Sequence, residues 1–304
     1  DRFGEWLYVE DFGSPGGDVA QAPSPVSVGK TQPGAAVPHQ VTAHPIDHFG
    51  KIQWDDLLGM TKSTSVIRSS VSPGQPRQEK QRVAGEKPPP ESFVRENSVR
   101  YRIDLLQAGS PGLFLDQREN RRHLQSIARG TRILNLFAYT CGFSVAAAMA
   151  GASQTVNVDL SRRALEWGRA NFLANDLNLD SHKFFSEDVF ESLAKMSRRK
   201  ERFDLVLVDP PSSSRSKTSG HFSAKSDYSR LVRLASALVE NGGWLFCSTN
   251  LASWKGAAFF DALEKGLKLA GRRIAERLWM PQPFDFPATP DHPPYLKSVW
   301  LRLE

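Results

Sequence analysis

Three acidic residues, Asp159, Asp188 and Asp209, each follow a short apolar segment, and their spacing suits recognition of a nucleoside. Asp159 lies 17 residues after Gly142, near the spacing at which a carboxylate accepts hydrogen bonds from ribose hydroxyls. A carboxylate at Asp188 can accept from an exocyclic amine, or it can cap the helix that follows. The sequence leaves both roles open for Asp188, whereas Ser161 already suits the cap after Asp159.

Asp209 is followed by Pro210 and Pro211. The two prolines fix the backbone and remove two N–H donors. Hydrogen-bond acceptors, including the Asp209 carboxylate, are therefore expected to face a cleft. This pattern predicts a functional turn in which Asp209 and Pro210 act at the reaction centre and Pro211 contacts the substrate.

The segment Asn135–Ser144 contains one glycine, where a dinucleotide-binding fingerprint has three. A close approach of the backbone to a pyrophosphate is therefore not expected, and no phosphate-binding G-x-x-x-x-G-K-[ST] motif occurs. The expected ligand is a nucleoside without phosphates.

These residues need a scaffold that brings the ends of several strands together. Apolar runs alternate with helical patterns, which predicts a mostly parallel sheet with helices on both faces. The predicted strands are Arg132–Leu136, Gln154–Val158, His182–Phe185, Asp204–Val208 and Trp244–Ser248. The predicted helices are Gly142–Ala150, Ser161–Asn175, Val189–Arg199, Asp227–Glu240 and Lys255–Ala270. Arg272–Leu278 and Leu296–Leu303 should form an antiparallel edge pair, and ligands should bind at the carboxyl ends of the parallel strands.

The chain divides near residue 92. Residues 1–92 hold 11 of the 20 prolines, 10 of the 22 glycines and a net charge of −2, whereas residues 93–304 carry +8. The first region is predicted to be largely flexible, with ordered islands at Phe3–Phe12 and Phe49–Leu58. The second is predicted to open with a β-hairpin of Ser98–Leu105 and Leu113–Leu115, followed by a helix to Arg129 that Asp116 caps.

Composition excludes several classes of protein. No run of about 18 apolar residues occurs, so no transmembrane helix is expected. Two cysteines, Cys141 and Cys247, cannot build a disulfide scaffold, which favours a reducing, cytoplasmic compartment. No metal site is expected, because His39, His44 and His48 have no acidic or cysteine partner to complete one.

The motifs resemble a class I S-adenosylmethionine-dependent methyltransferase, and specifically the bacterial 23S ribosomal RNA large-subunit methyltransferase family. The resemblance spans about residues 94–304, and its guanine-N7 and cytosine-C5 branches share the same motifs. It is carried by Gly112–Arg121, Leu134–Val145, Asn157–Ser161, Asp209–Pro211 and Ser216–Lys217. The family usually has glycine where this chain has Cys141. Residues 1–92 do not resemble the RNA-binding domain that family members often carry.

The resemblance implies a Rossmann-like methyltransferase fold and S-adenosylmethionine as cofactor. Asp159 would hold the ribose, Asp188 would hold the adenine amine, and Gln117 with Arg118 would approach the methionine carboxylate. The residues implied in cofactor binding are Gln117, Arg118, Asn135, Phe137, Ala138, Tyr139, Thr140, Gly142, Asp159, Leu160, Ser161, Asp188, Val189 and Asp209.

The acceptor atom depends on whether a thiol faces the cleft. Carbon 5 of cytosine needs a cysteine that first adds to the ring, whereas N7 of guanine needs only alignment with the methyl group. In the cytosine-C5 branch, the nucleophile lies seven residues after the glycine pair that corresponds to Gly242-Gly243. Asn250 occupies that place here, and Cys247 lies within the strand. Nitrogen methylation is therefore favoured, with Cys141 keeping the carbon route open.

RNA is the expected partner. Arg215 and Lys217 follow the Asp-Pro-Pro turn, where they could meet a phosphate backbone. Tyr139, Tyr228 and Phe222 could stack on an extruded base, although Phe222 could equally anchor a loop. A small molecule or protein as methyl acceptor, and a non-catalytic RNA-binding module, are the competing interpretations.

Overall fold

The computed structural model describes residues 2–3, 6–11, 65–70, 81–85, 92–105, 110–216, 218, 220–286, 288 and 294–304. Contacts between Cα atoms separate the chain into two compact units. The first unit combines residues 1–90 with 105–111, and the second combines residues 91–104 with 112–304. No helix in the described ranges is long and apolar enough to cross a membrane.

The first unit contains a four-stranded sheet in the order β1-β2-β3-β4, in which only the β2–β3 pair is parallel. Its strands are β1 (Arg2–Phe3), β2 (Trp6–Asp11), β3 (Ser65–Ser70) and β4 (Gln81–Gly85). Strand β2 lies within the predicted island Phe3–Phe12, whereas β3 and β4 lie in the region that the sequence predicted to be flexible. Phe49–Leu58, the second predicted island, lies outside the described residues, as do the three histidines at 39, 44 and 48.

The second unit opens with a hairpin of β5 (Ser92–Glu96) and β6 (Val99–Ile103). Asn97 and Ser98 form its two-residue turn with φ values of 47° and 68°, the left-handed backbone that such tight turns require. The predicted pairing with Leu113–Leu115 is therefore wrong, because the tight turn pairs β6 with the segment before it.

A short 3₁₀ turn, Leu115–Gln117, leads into helix α1 (Arg118–Ile127). The sequence predicted that Asp116 caps this helix, and this is wrong. Its Oδ2 instead accepts a hydrogen bond from Tyr295 Oη at 3.1 Å. The carboxylate is buried and is held by a residue 179 positions away, a contact that local sequence could not show.

A seven-stranded sheet forms the centre of the second unit, in the order β14-β15-β13-β10-β7-β8-β9. The strands are β7 (Arg132–Leu136), β8 (Gln154–Asp159), β9 (His182–Ser186), β10 (Phe203–Val208), β13 (Val239–Thr249), β14 (Ile274–Met280) and β15 (Lys297–Leu303). Strands β7 to β10 and β13 are parallel, while β15 runs antiparallel to both of its neighbours. The predicted Rossmann-like sheet with an antiparallel edge pair is confirmed.

Helices cover both faces of this sheet. They are α2 (Gly142–Met149), α3 (Arg162–Leu173), α4 (Val189–Arg198), α5 (Ala224–Ser236) and α6 (Gly256–Leu269). The period of two along β10 shows why: Val206 and Val208 pack into one core cluster, whereas Leu205 and Leu207 pack into another on the opposite face. Both faces of the strand are buried, as a parallel sheet between helical layers requires.

Strand β10 pairs with β7, although β8 and β9 lie between them in sequence. The order therefore switches between β7 and β10, and the crevice at their carboxyl ends is where such folds bind ligands. A small hairpin that the sequence did not predict, β11 (Ser213–Ser216) with β12 (Gly220–Ser223), follows β10 at this edge.

A buried ion pair joins the β5–β6 hairpin to α1. The Arg121 guanidinium donates to both oxygens of Glu96 at 2.6 and 2.7 Å, and to the carbonyl of Phe114 at 2.8 Å. Tyr101 of β6 also bonds through its hydroxyl to the carbonyl of Gly142 at 3.3 Å. The hairpin is thereby held against the start of α2.

We predict that Arg121→Met lowers the free energy of unfolding by about 3–5 kcal/mol, because Glu96 stays buried without its partner. Urea denaturation would measure the change. Arg122→Met is the matched control: the Arg122 side chain is 70% exposed, and its loss should cost less than about 0.5 kcal/mol. Equal effects of the two substitutions would contradict the assigned role.

Candidate functional site

The loop after β7 has an unusual backbone. Phe137, Tyr139 and Cys141 have φ values of 58°, 48° and 59°, a left-handed conformation that costs non-glycine residues energy. The loop is held in place by Thr140, whose hydroxyl donates to the carbonyl of Gly112 at 2.6 Å, and whose carbonyl accepts from Asn171 Nδ2 at 2.9 Å. The sequence showed one glycine here, but not this alternation of backbone conformations.

Asp159 lies at the end of β8 and is partly exposed. Its Oδ2 accepts from the backbone N–H of Tyr139, and its Oδ1 from that of Ser161, both at 2.8 Å. Burial raises the pKa of this carboxyl above its usual range, and the two N–H groups partly offset the rise. Ser161 caps α3, since its Oγ accepts from Ala164 N at 3.1 Å. The predicted helix cap by Ser161 is confirmed, while ribose binding by Asp159 stays a prediction.

Asp188 lies at the end of β9 and is 6% exposed. Its Oδ1 accepts from the N–H groups of Phe190 at 2.8 Å and Glu191 at 3.3 Å, so the residue caps α4. Binding of an adenine amine, the other role left open by the sequence, stays a prediction. Val189 packs its side chain into the core, whereas Leu160, beside Asp159, leaves 42% of its surface exposed.

Asp209 lies at the end of β10, beside the order switch. Its Oδ2 accepts from Gln117 Nε2 at 3.2 Å, and its Oδ1 accepts from Ser248 Oγ. Burial is the main cause that raises the pKa of Asp209 to about 6; the nearby Asp116 carboxylate adds to the rise, and the bond from Ser248 opposes it. Ser248 lies one residue before the end of β13, the fifth parallel strand. Because ligands bind at the carboxyl ends of parallel strands, its position in the sequence could have indicated it.

Arg118 is already engaged by a residue that the sequence did not single out. Its guanidinium makes a two-pronged ion pair with Asp285 and a weaker contact with Glu119 at 3.4 Å. Of the two acidic residues beside Arg118 in sequence, Asp116 and Glu119, Glu119 is the one with which it makes a salt bridge. A role of Arg118 toward a ligand carboxylate stays a prediction.

Two predicted site residues have structural contacts instead. Tyr228 is fully buried, and its hydroxyl donates to the carbonyl of Ser248 at 2.6 Å, so stacking of this ring on a base is wrong. Helix α5 begins at Ala224, three residues before the predicted start, and Tyr228 lies on its buried face. Asn135 is 2% exposed and donates to Ser144 Oγ at 2.9 Å, which joins β7 to α2.

The substrate side of the edge is polar and exposed. Asn250 is exposed, and its Oδ1 accepts from Ser212 Oγ at 3.1 Å. Arg215 is exposed on β11 opposite His221, while Lys217 lies outside the described residues. Pro210 is buried and Pro211 exposed.

Phe222 anchors the β11–β12 hairpin. It is 4% exposed and packs against Phe137 and Phe190, with ring centroids 5.7 and 6.1 Å away. Of the two roles left open for Phe222, the loop anchor is the one observed. The ring of Tyr139 packs against that of Phe114, with the two ring centroids 5.5 Å apart.

Both cysteines are buried as free thiols. Cys247 lies inside β13 and Cys141 begins α2, and burial raises the pKa of each thiol. A buried thiol with a raised pKa is a poor nucleophile. Within the described ranges, no group of three His, Cys, Asp or Glu residues could hold a metal ion.

Comparison with known proteins identifies the family of the chain. Residues 76–299 match the family described as S-adenosylmethionine-dependent methyltransferase. The chain belongs to this family. The resemblance, the fold and the cofactor expected from the sequence are therefore confirmed.

Individual relatives agree with this assignment. The chain is similar to a ribosomal RNA large subunit methyltransferase of Deinococcus radiodurans, at 32% identity over 69% of the chain and 51% of the relative. It is also similar to ribosomal RNA large subunit methyltransferase I of Aeromonas salmonicida, at 32% identity over 72% of the chain and 56% of the relative. The chain thus spans about half the length of these relatives. SMU.776, whose crystal structure contains S-adenosylhomocysteine (SAH), superposes with a TM-score of 0.76 at 28% identity, over 86% of this chain and 67% of that one.

The residues at the sheet edge of this methyltransferase-family chain fit S-adenosylmethionine. Each oxygen of Asp159 accepts a hydrogen bond from a backbone N–H, and a carboxylate oxygen has a second lone pair with which to accept from a ribose hydroxyl. The exposed Leu160 side chain supplies apolar surface beside it. The Asp116 carboxylate has a buried oxygen, Oδ1, with no hydrogen-bond partner of normal geometry among the described residues.

We predict that the stability of the protein depends on pH through Asp209. Because folding raises the pKa of this carboxyl to about 6, the native state holds its proton more tightly than the unfolded chain. The resulting stability is present at low pH and is lost as the pH rises through about 6. Between about pH 4 and about pH 8, wild type should lose about 2–3 kcal/mol relative to Asp209→Asn.

Urea denaturation of both proteins across this pH range would measure the difference. Asp116 and Arg121 are the charged neighbours of Asp209 and are present in both proteins. Parallel stability curves for wild type and variant would contradict the raised pKa.

Proposed function

We propose that this chain transfers a methyl group from S-adenosylmethionine to a base of large-subunit ribosomal RNA, with N7 of guanine as the favoured acceptor. The observation that carries methyl transfer is the meeting of Asp159, Asp188 and Asp209 at one sheet edge, within a chain of this family. RNA as the substrate is supported by the names of the relatives and by the basic surfaces described below.

The cofactor, when bound, supplies an electrophilic methyl group on a sulfonium. Asp159 would hold its ribose hydroxyls and Asp188 its adenine amine, while the loop Phe137–Gly142 would surround the methionine part. Gln117 would contribute indirectly, because its amide holds Asp209 in place. These contacts align the methyl group, and alignment is the main requirement for an acceptor that already has a lone pair.

Asn250 is suited to hold the target base. Ser212 donates to its Oδ1, which leaves the Nδ2 amide hydrogens to donate to an acceptor such as O6 of guanine. Asp209 would be ionised above about pH 6. Its negative charge would stabilise the positive charge that develops on the base when a ring nitrogen is alkylated.

Nitrogen rather than carbon 5 is favoured because no exposed thiol lies at this edge among the described residues. Cys247 is fully buried within β13, three residues before Asn250. Cys141 is also fully buried, and its Sγ would lie 2.4 Å from a Cβ placed on Gly168, so the thiol packs against α3.

The decisive experiment identifies the methylated nucleoside. Wild-type protein, labelled S-adenosylmethionine and unmodified large-subunit ribosomal RNA are incubated, and the digested RNA is analysed by mass spectrometry. We expect 7-methylguanosine from wild type and an unchanged rate from Cys247→Ala, which removes only a buried sulfur atom. Asp209→Ala should abolish transfer while the fold persists.

Other products would revise the proposal in a defined way. A 5-methylcytidine product that disappears in a folded Cys247→Ala variant would establish the carbon route. Methylation of a protein or small molecule, with none on RNA, would remove RNA as the substrate.

Exposed arginines on the β5–β6 hairpin support an RNA substrate. Arg95 and Arg100 lie directly opposite each other in the strand register and are both exposed. Like charges in this position repel unless an anion lies between them. The guanidinium of Arg100 lies 5.0 Å from the ring of Phe93, which is 45% exposed. A cationic face with an exposed aromatic ring suits a phosphate backbone and its bases.

We predict that replacing both arginines, Arg95→Ala with Arg100→Ala, weakens binding to large-subunit ribosomal RNA. The slope of log affinity against log salt should become shallower by about 1–2 units. Fluorescence anisotropy at several salt concentrations would measure it. Arg198→Ala with Arg199→Ala, at the exposed end of α4, removes the same charge elsewhere. If both pairs gave equal losses, the effect would be one of net charge and not of this surface.

A further inference from the structure

Asp116 is a buried acid to which the proposed mechanism assigns no task. Its side chain is in the 3₁₀ turn before α1, and the residue is 9% exposed. One carboxylate oxygen, Oδ2, accepts from the hydroxyl of Tyr295 at 3.1 Å. The other, Oδ1, is shielded from solvent and has no hydrogen-bond partner of normal geometry among the described residues, although the backbone N–H groups of Asp116 and Gln117 act on the carboxyl and lower its pKa. Such an oxygen is costly to bury unless something donates to it.

The charges around Asp116 leave a negative excess. The Asp116 carboxylate is close enough to Asp209 to disfavour ionisation of Asp209. The charge of Arg121 acts on both groups, but its donors are directed to Glu96 and to the carbonyl of Phe114. Burial raises the pKa of Asp116, and the bond from Tyr295 and the charge of Arg121 only partly offset the rise. The missing partner should therefore be a cation with N–H donors.

The position of Asp116 indicates which cation this is. The segment that leads to Asp116 runs beside the cofactor loop, because Gly112 accepts from Thr140 and Phe114 contacts Tyr139. The next residue, Gln117, donates to Asp209 at the end of β10. Asp116 thus lies between the loop that would surround the methionine part and the turn that would hold the target base.

The methionine part of S-adenosylmethionine carries an α-ammonium group, which has three N–H donors. We propose that Oδ1 of Asp116 accepts a hydrogen bond from this ammonium, with Tyr295 orienting the carboxylate through Oδ2. The inference rests on the proposed function for the presence of the cofactor. It goes beyond that function by assigning the ammonium to a particular atom of the chain.

A guanidinium lies close to Asp116 in sequence. Arg118 follows Asp116 by two residues and forms an ion pair with Asp285. Asp116 would thus meet the ammonium group of the methionine part, and Arg118 is the residue predicted to approach its carboxylate. The ammonium contact and any carboxylate contact can be separated by analogues that lack only one of the two groups.

A thermodynamic cycle between residue and ligand tests the proposal without relying on activity. Isothermal titration calorimetry measures binding of SAH and of its deamino analogue, in which hydrogen replaces the amino group, to wild type and to Asp116→Asn. For wild type, we expect loss of the amino group to weaken binding about tenfold to a hundredfold, as for other hydrogen bonds between charged groups. Asp116→Asn should weaken SAH binding by a similar factor and should leave binding of the deamino analogue unchanged within about twofold.

The control is Glu264→Gln, which changes one carboxylate to an amide at an exposed position of α6. It should leave both affinities unchanged. Equal weakening of both ligands by Asp116→Asn would overturn the proposal, because it would show a structural role for the carboxylate. Wild-type protein that binds SAH and the deamino analogue equally would also overturn it, and this comparison needs no folded variant. If wild type binds neither ligand, the proposed function itself fails.

Discussion

A buried chain of polar side chains connects Asp209 to the far edge of the sheet, and the geometry of the site depends on it. Gln117 donates to Asp209 and accepts from Asn120 at 2.7 Å, and Asn120 in turn bonds to Ser298 of β15 and accepts from Trp300. Apart from the local bond between Gln117 and Asn120, each contact joins elements that are distant in sequence. Because buried polar groups are costly when unpaired, the network permits one arrangement of α1 against the sheet. That arrangement carries the turn with Asp116 and Gln117 to the carboxyl end of β10.

The β5–β6 hairpin is held to the same helix by a second buried contact. Arg121 and Glu96 pair within the core, and the residues that flank this pair on the hairpin bury their apolar sides toward α2. The opposite side of the hairpin is left to Phe93, Arg95 and Arg100. The hairpin thus has one face that stabilises the cofactor side of the fold and one face suited to a polyanion. This division follows from the two-residue period of a strand.

Acidic groups dominate the centre of the site, while basic groups occupy its surroundings. Asp116, Asp159 and Asp209 are all sufficiently buried for their pKa values to rise. Such an environment suits a ligand that carries a sulfonium and an ammonium. The exposed arginines suit a phosphate backbone, which would stay outside. The two binding partners in the proposed reaction differ in charge, and the protein separates the surfaces that would meet them.

Apolar periodicity and strand termini are local features, so the succession of strands and helices along the central domain and the three carboxylates at strand ends could be predicted without a structure. The sequence also identified Ser161 as a helix cap and Asn250 in place of a cysteine. The pairing of the first hairpin, the inward direction of Tyr228, and the partners of Asp116, Arg118 and Asp209 emerged only from the folded chain. Each of these depends on contacts between residues far apart in the chain, such as Asp116 with Tyr295, and on burial, which sets the cost of an unpaired charge. Neither the contact nor the burial is visible in local sequence.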